Sequence, residues 1–145
     1  MKFLSRLAKD SGGPAGSGHR AADSVAYESV LRIESRCLPG VAYEIAKVSF
    51  GRRMELSRMV RQLSQKVEFL EAGNQIQEKI EAGILAQDVN AMYLRWGLIR
   101  IHGLTIDGEP PTPERLIESG PEELAREIVG AIQHECGLNG DERKN

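Results

Sequence analysis

Hydrophobic and polar positions alternate between residues 29 and 48. In "SVLRIESR" (29–36), Leu31, Ile33 and Ser35 interleave with Val30, Arg32 and Glu34. In "VAYEIAKV" (41–48), Val41, Tyr43 and Ile45 share one side, set against Glu44. A period of two predicts strands, and "CLPG" (37–40) between them supplies the turn of a β-hairpin. Two strands are marginal alone, so the hairpin must lie against helices.

From Ser49 the period lengthens. Leu56, Val60, Leu63, Val67 and Leu70 follow one another at steps of 4, 3, 4 and 3. That is the seam of a long helix packed along its whole length. Gly73 supplies the stop, and Asn74 is the expected cap of the next helix. A second helix is expected from about Gln75 to Trp96, with Ile76, Ile80, Ile84, Leu85, Val89, Met92 and Trp96 as its apolar side. The link is short, so the two helices should be antiparallel neighbours.

"LIRIHGLTIDG" (98–108) reads as a small hairpin or an extended arm, with Gly103 and Asp107–Gly108 as turn signals. A short helix follows, with Thr112 as N-cap, Pro113 at its first position and Gly120 as its end. A last helix repeats the device from Pro121, with Leu124, Ile128 and Ile132 as its inward stripe and Gly137 as its stop. The expected fold class is α+β, mainly α: an N-terminal β-hairpin, a long antiparallel helical hairpin and a compact C-terminal helical unit. Residues 1–24 form a leader and Gly/Ser-rich linker, with four glycines and a proline in "SGGPAGSGHRAADS" (11–24). Residues 25–139 form one mainly helical domain, and 140–145 a polar tail. Because the last two helices are short, with one apolar stripe each, the stretch from Trp96 to Ile128 is expected to be a lightly anchored, partner-facing module.

Composition changes this picture little. The chain has 145 residues, 41% of them hydrophobic and only 5% aromatic, so the core must be mainly aliphatic. Charge is distributed unevenly although the net value is −2: residues 1–66 hold twelve Lys/Arg against six Asp/Glu, and residues 67–145 hold seven against fifteen. Three readings stay open: head-to-tail self-association, a charged partner, or two solvated helix faces of opposite sign. The two cysteines, Cys37 and Cys136, form no CxxC, which fits a reducing cytosol and neither a disulfide framework nor a metal site. No signal peptide or membrane-length apolar run is legible, so the expected location is cytoplasmic.

Candidate chemistry is sparse. His19, His102 and His134 sit apart, and no metalloprotease, nucleophile-elbow, Walker or dinucleotide motif occurs. The expectation is therefore no enzyme, no catalytic residue, no metal and no cofactor. Arg52, Arg53, Arg58 and Arg61 form a basic patch, but no aromatics interleave to stack bases. An acidic protein surface suits that patch at least as well as nucleic acid does. Met54, Met59 and Met92 can be core gap-fillers or an adaptable contact surface, and Trp96 a hinge anchor or a contact residue. With Leu116, Leu124 and Ile128 they make up the candidate partner-binding set.

In combination, "RCLPGVAYEIAKVSFGRRMELSRMVRQL", then "VEFLEAG", then "YLRWGLIRIHGLTIDGEPPTPERLIESGPEELAREI" and "GLNGDERKN" resemble phage tail assembly chaperones. In that family a Trp is followed by a Gly-bearing turn, a T-x-E-x-L helix and a P-x-x-L-x-x-E-I helix. Here these fall on Trp96, Asp107–Gly108, Thr112, Glu114, Leu116, Pro121, Leu124, Glu127 and Ile128. The resemblance covers residues from about 27 to 145 and leaves the Gly-rich leader outside the pattern. It implies a non-enzymatic protein, absent from the mature virion, that keeps the tape measure protein of a long-tailed phage or prophage soluble until tail tube subunits replace it. It also implies self-association along that client. Two other classes are a minor structural protein of the tail or head–tail junction and a small nucleic-acid-binding regulator.

Overall fold

In the computed structural model the described residues are 23–137, so residues 1–22 of the expected leader and the whole expected tail (140–145) lie outside them. The alternating segments form the hairpin β1 (Val30–Glu34) and β2 (Ala42–Ala46), antiparallel, with Leu31 opposite Ile45 and Ile33 opposite Tyr43. Two helices of 22 residues follow, α1 (Phe50–Glu71) and α2 (Ile76–Gly97). The chain then runs directly into β3 (Leu98–His102) and ends in α3 (Pro113–Ser119) and α4 (Glu122–Glu135). The fold is α+β and mainly helical.

The segment expected as a separate small hairpin or arm is the third strand of the N-terminal sheet. β3 pairs antiparallel with β2, placing Ile101 opposite Tyr43, with a register shift between Glu44 and Ile45. β2 is thereby central, and Tyr43 and Ile45 are almost fully buried. The other face of the sheet is polar. There Glu44 bonds His102 and lies 3.9 Å from Arg100. The His102 bond, with the nearby Arg100 and Arg32 charges, holds the Glu44 carboxyl below its ordinary range.

Two glycines permit this path. A Cβ on Gly97 would stand 2.8 Å from Ile132 Cγ2, so the end of α2 rests directly on α4. Gly103 has φ +79°, and a Cβ there would meet the Gly40 carbonyl oxygen at 2.3 Å. Beyond it, Asp107 (φ 52°) and Gly108 (φ 77°) make a two-residue turn, closed by reciprocal bonds of 2.9 and 3.0 Å between Ile106 and Glu109. Positive φ at both central residues is the signature the Asp-Gly pair carries in sequence.

The C-terminal unit is not lightly anchored. Leu116 from α3 and Leu124, Ile128 and Ile132 from α4 are each at most 1% exposed and sit in one cluster with Tyr43, Ile45, Tyr93 and Leu98. These short helices close over the sheet and the end of α2, so their stability comes from the main core rather than from a loose stripe. At the caps, Thr112 accepts from the Arg115 N–H as expected. Gln75 rather than Asn74 is the N-cap of α2, and Pro121 precedes α4 as its N-cap instead of occupying its first position.

The helical hairpin corrects the apolar side expected for α2. On α1, Leu56 and Leu70 are buried, with Val60, Leu63 and Val67 half-buried between them, so the seam points at α2. On α2 the inward positions are Ala82, Val89 and Tyr93. Ile76, Ile80 and Ile84 point away, at 78%, 59% and 58% exposure. At about 100° per residue, Ile80 and Ile84 stand roughly 160–200° from Ala82. α2 is thus apolar on two faces, and a two-helix arm can cover only one of them.

Candidate partner-binding surface

The residues chosen from sequence as a contact set are not brought together. Leu124 and Ile128 are core side chains with no exposed surface, and Leu116, 1% exposed, reaches only the wall of a groove beside α2. Met92 is half-buried, and Met54 and Met59 are exposed on α1. Trp96 is half-buried beneath Arg52, whose guanidinium lies 4.2 Å from the ring centroid. That is the geometry of an anchor rather than of an open contact.

Arg52 and Arg53 likewise leave the basic patch. Arg52 Nη2 donates to the Trp96 carbonyl at 2.6 Å, and Arg53 Nη1 donates to the Cys136 carbonyl at 2.7 Å. Both acceptors are terminal helix carbonyls without an intrahelical partner, and the cations also complement the negative ends of the helix dipoles. Two neighbouring arginines at the start of α1 therefore clamp the C-termini of α2 and α4. Only Arg58 and Arg61 remain of the four-residue patch.

Glu127 was legible only as part of a motif, yet it ties the sheet to α4. Its Oε1 accepts from the backbone N–H groups of Arg36 (2.8 Å) and Cys37 (3.0 Å) and from the Ser35 hydroxyl (3.4 Å). Burial pulls its pKa up. The Cys37 and Arg36 amides, with the Tyr43 and Ser35 hydroxyls, outweigh that and hold the carboxyl below its ordinary range. Burial and the adjacent Glu127 carboxylate push the Tyr43 phenol well above its usual value. Glu114 pairs with Arg95, and that hydrogen bond lowers its carboxyl while raising the guanidinium. The motif positions Thr112, Glu114, Leu116, Leu124, Glu127 and Ile128 thus cap, tether and fill the fold.

What the structure does assemble is a surface along α2. Ile76, Ile80, Ile84, Gln87, Ala91 and Leu94 fall within about 80° of one another on the helical wheel. The strip runs for roughly 27 Å at 1.5 Å per residue. At its outer end the isoleucines stand free on the arm. Inward, Gln87, Ala91 and Leu94 form one wall of a groove of about 600 Å³, with Leu116 and Ile117 of α3 and Val129 of α4 among its other walls. A second hollow of about 640 Å³ lies between α1 and α2, lined by Val60, Val67, Val89 and Tyr93, and shares Asn90 and Gln133 with the first. Phe69, near the end of α1, is 78% exposed. Ile76, Ile80 and Ile84 recur every four residues on one face, and a contiguous apolar patch marks an interaction surface where scattered side chains do not.

No helix among the described residues is long and apolar enough to cross a membrane. Comparison with known protein families, curated proteins and solved structures finds no match to this chain.

Proposed function

We propose that this chain is a non-enzymatic phage tail assembly chaperone that holds helical segments of a tape measure protein in solution. The observation that carries the reading is the α2 strip running from Ile76 into the groove beside Leu94, whose outer isoleucines no described residue covers. A long coiled-coil-like client exposes apolar stripes at helical spacing, and a strip of this length accepts about five turns of such a helix. The contact residues become Ile76, Ile80, Ile84 and Ala91, with the buried Leu94 beneath the inner end, instead of Leu124 and Ile128. The resemblance in sequence supplies the client's identity, and the strip supplies a way to hold it.

Co-expression tests this directly. The tape measure protein should be recovered in solution as a complex with this chain that survives gel filtration. The double variant Ile80→Glu/Ile84→Glu removes two exposed isoleucines, so its fold should stay intact by circular dichroism. Its affinity for the client should fall by roughly a hundredfold or more, because burying two such side chains is worth about 3 kcal/mol or more. A tape measure protein that is equally soluble without this chain, and that forms no complex with it, would remove the proposal.

A further inference from the structure

The arm carries apolar side chains on both of its outer faces. On α2 these are Ile76, Ile80 and Ile84. On α1, Phe50, Met54, Arg58, Arg61, Gln65 and Phe69 recur at steps of 4, 4, 3, 4 and 4, within about 100° of one another and opposite the seam. All six are exposed, Phe50 at 85% and Met54 at 45%. The arm is therefore a slab two helices thick, with a different amphipathic stripe on each side.

The charges on the two faces stand at matching levels. Arg52 on α1 reaches the Trp96 carbonyl at one end, and residues 72–75 join the helices at the other. Between these fixed points, at about 1.5 Å per residue, Phe69 is level with Lys79 and so lies at the height of Ile76 and Ile80. In the same way Lys66 is level with Glu81 and Ala82, and Arg58 with Asp88 and Asn90. The right-handed sense of both helices turns Lys66 and Arg58 toward the edge of the slab that carries Glu81 and Asp88. It turns Glu68 toward the other edge, with Lys79. These six charged residues are exposed, and none forms an ion pair among the described residues.

We infer that copies of this chain stack head to tail, with the outer face of α1 in one copy seated on the α2 strip of the next. A displacement of two helix layers, roughly 20 Å, brings the matched levels into contact. Phe69 of one copy then lies over Ile76 and Ile80 of the next, with Lys66 against Glu81, Arg58 against Asp88 and Glu68 against Lys79. An antiparallel pairing of two α2 strips centred on Ile80 sets Glu81 against Glu81 and Lys79 against Lys79 instead, which like-charge repulsion disfavours. Because the two joined faces differ, the contact repeats without closing. A single pair of helices buries less than the roughly 800 Å² per partner of a stable complex, so the association is weak and grows with concentration. The stack covers the strip assigned above to the client, so copies and client compete for it.

Sedimentation velocity on the full chain tests this, with circular dichroism to confirm that each variant is folded. The wild type should pass from monomer to dimer and then to larger species as its concentration rises. Two variants each disable one face: Arg58→Glu/Phe69→Glu on α1 and Ile80→Glu/Ile84→Glu on α2. Each alone should stay monomeric. An equimolar mixture should form dimers and nothing larger, because each variant keeps the face that the other lacks. Lys66→Glu should weaken association roughly fivefold, and Lys66→Glu/Glu81→Lys should restore it. A wild type that stays monomeric or stops at a dimer would overturn the proposal. So would a single-face variant that still dimerises alone, or a mixture that does not dimerise. No client enters these measurements, so this inference and the proposed client site fail separately.

Discussion

Leu124→Ala should lower the free energy of unfolding by about 3–5 kcal/mol, near the upper end for a buried leucine. Leu124 has no exposed surface and sits where α4 meets the sheet and the end of α2, among Leu98, Leu116 and Ile128. Ile128 and Ile132 on the same helix are equally enclosed, so little can move to fill the space left behind. The arm supplies the contrast. Leu63 belongs to the α1 seam that periodicity singles out, yet it is only half-buried between two helices, and Leu63→Ala should cost about 1 kcal/mol, in line with its smaller buried area. Urea titrations of the two variants decide the matter. A larger loss at Leu63 than at Leu124 would mean that stability resides in the arm and that the C-terminal helices are peripheral.

Glu127→Ala should cost about 2–3 kcal/mol at neutral pH, because it leaves the Arg36 and Cys37 amides and the Tyr43 hydroxyl beside an empty position. The loss should depend on pH in one direction. The folded-state pKa of Glu127 is depressed. Its contribution is therefore fully present above the unfolded carboxyl value of about 4.3 and is lost as pH falls through the folded value. The stability difference between wild type and Glu127→Ala should be full at pH 7 and should shrink steadily below about pH 4. Chemical denaturation at a series of pH values measures it. A difference that stays constant down to pH 2.5 would show that the hairpin turn is held by packing rather than by the carboxylate. Tyr43→Phe, which keeps the ring in the core, separates the hydroxyl's share from the rest.

Much of the local structure was legible because the signals concerned are local. The period-two runs around residues 37–40 and the 4-3-4-3 seam of α1 each specify an element from residues within two or three turns of one another. The Asp107–Gly108 turn, the Thr112 cap and the Gly137 stop (φ 73°) are set by the backbone demands of single positions. Leu116, Leu124 and Ile128 of the candidate contact set lie in the core for a reason that follows from the same rules. An apolar residue on a helix signals burial against something, and periodicity does not say whether that neighbour belongs to the chain or to a partner. Leu116, Leu124 and Ile128 found theirs inside the molecule, whereas Ile76, Ile80 and Ile84 have none among the described residues.

The residues that hold the pieces together lay further from view. Arg52 reaches 44 positions along the chain to the Trp96 carbonyl, and Glu127 reaches about 90 back to the β1–β2 turn. Both are charged residues on helices, and neither a basic patch around Arg52 nor the P-x-x-L-x-x-E-I motif around Glu127 says which backbone groups they bond. The sequence by itself determined the β1–β2 hairpin, the four helices to within a residue or two of their ends, and the turn and cap at Asp107–Gly108 and Thr112. Only the tertiary structure decided that β3 completes the N-terminal sheet, that α3 and α4 close the core, and which face of α2 stays uncovered. Pairing a strand with a partner more than fifty residues away, or choosing between two apolar faces, depends on the summed packing of the whole chain, and no short window of sequence contains that sum.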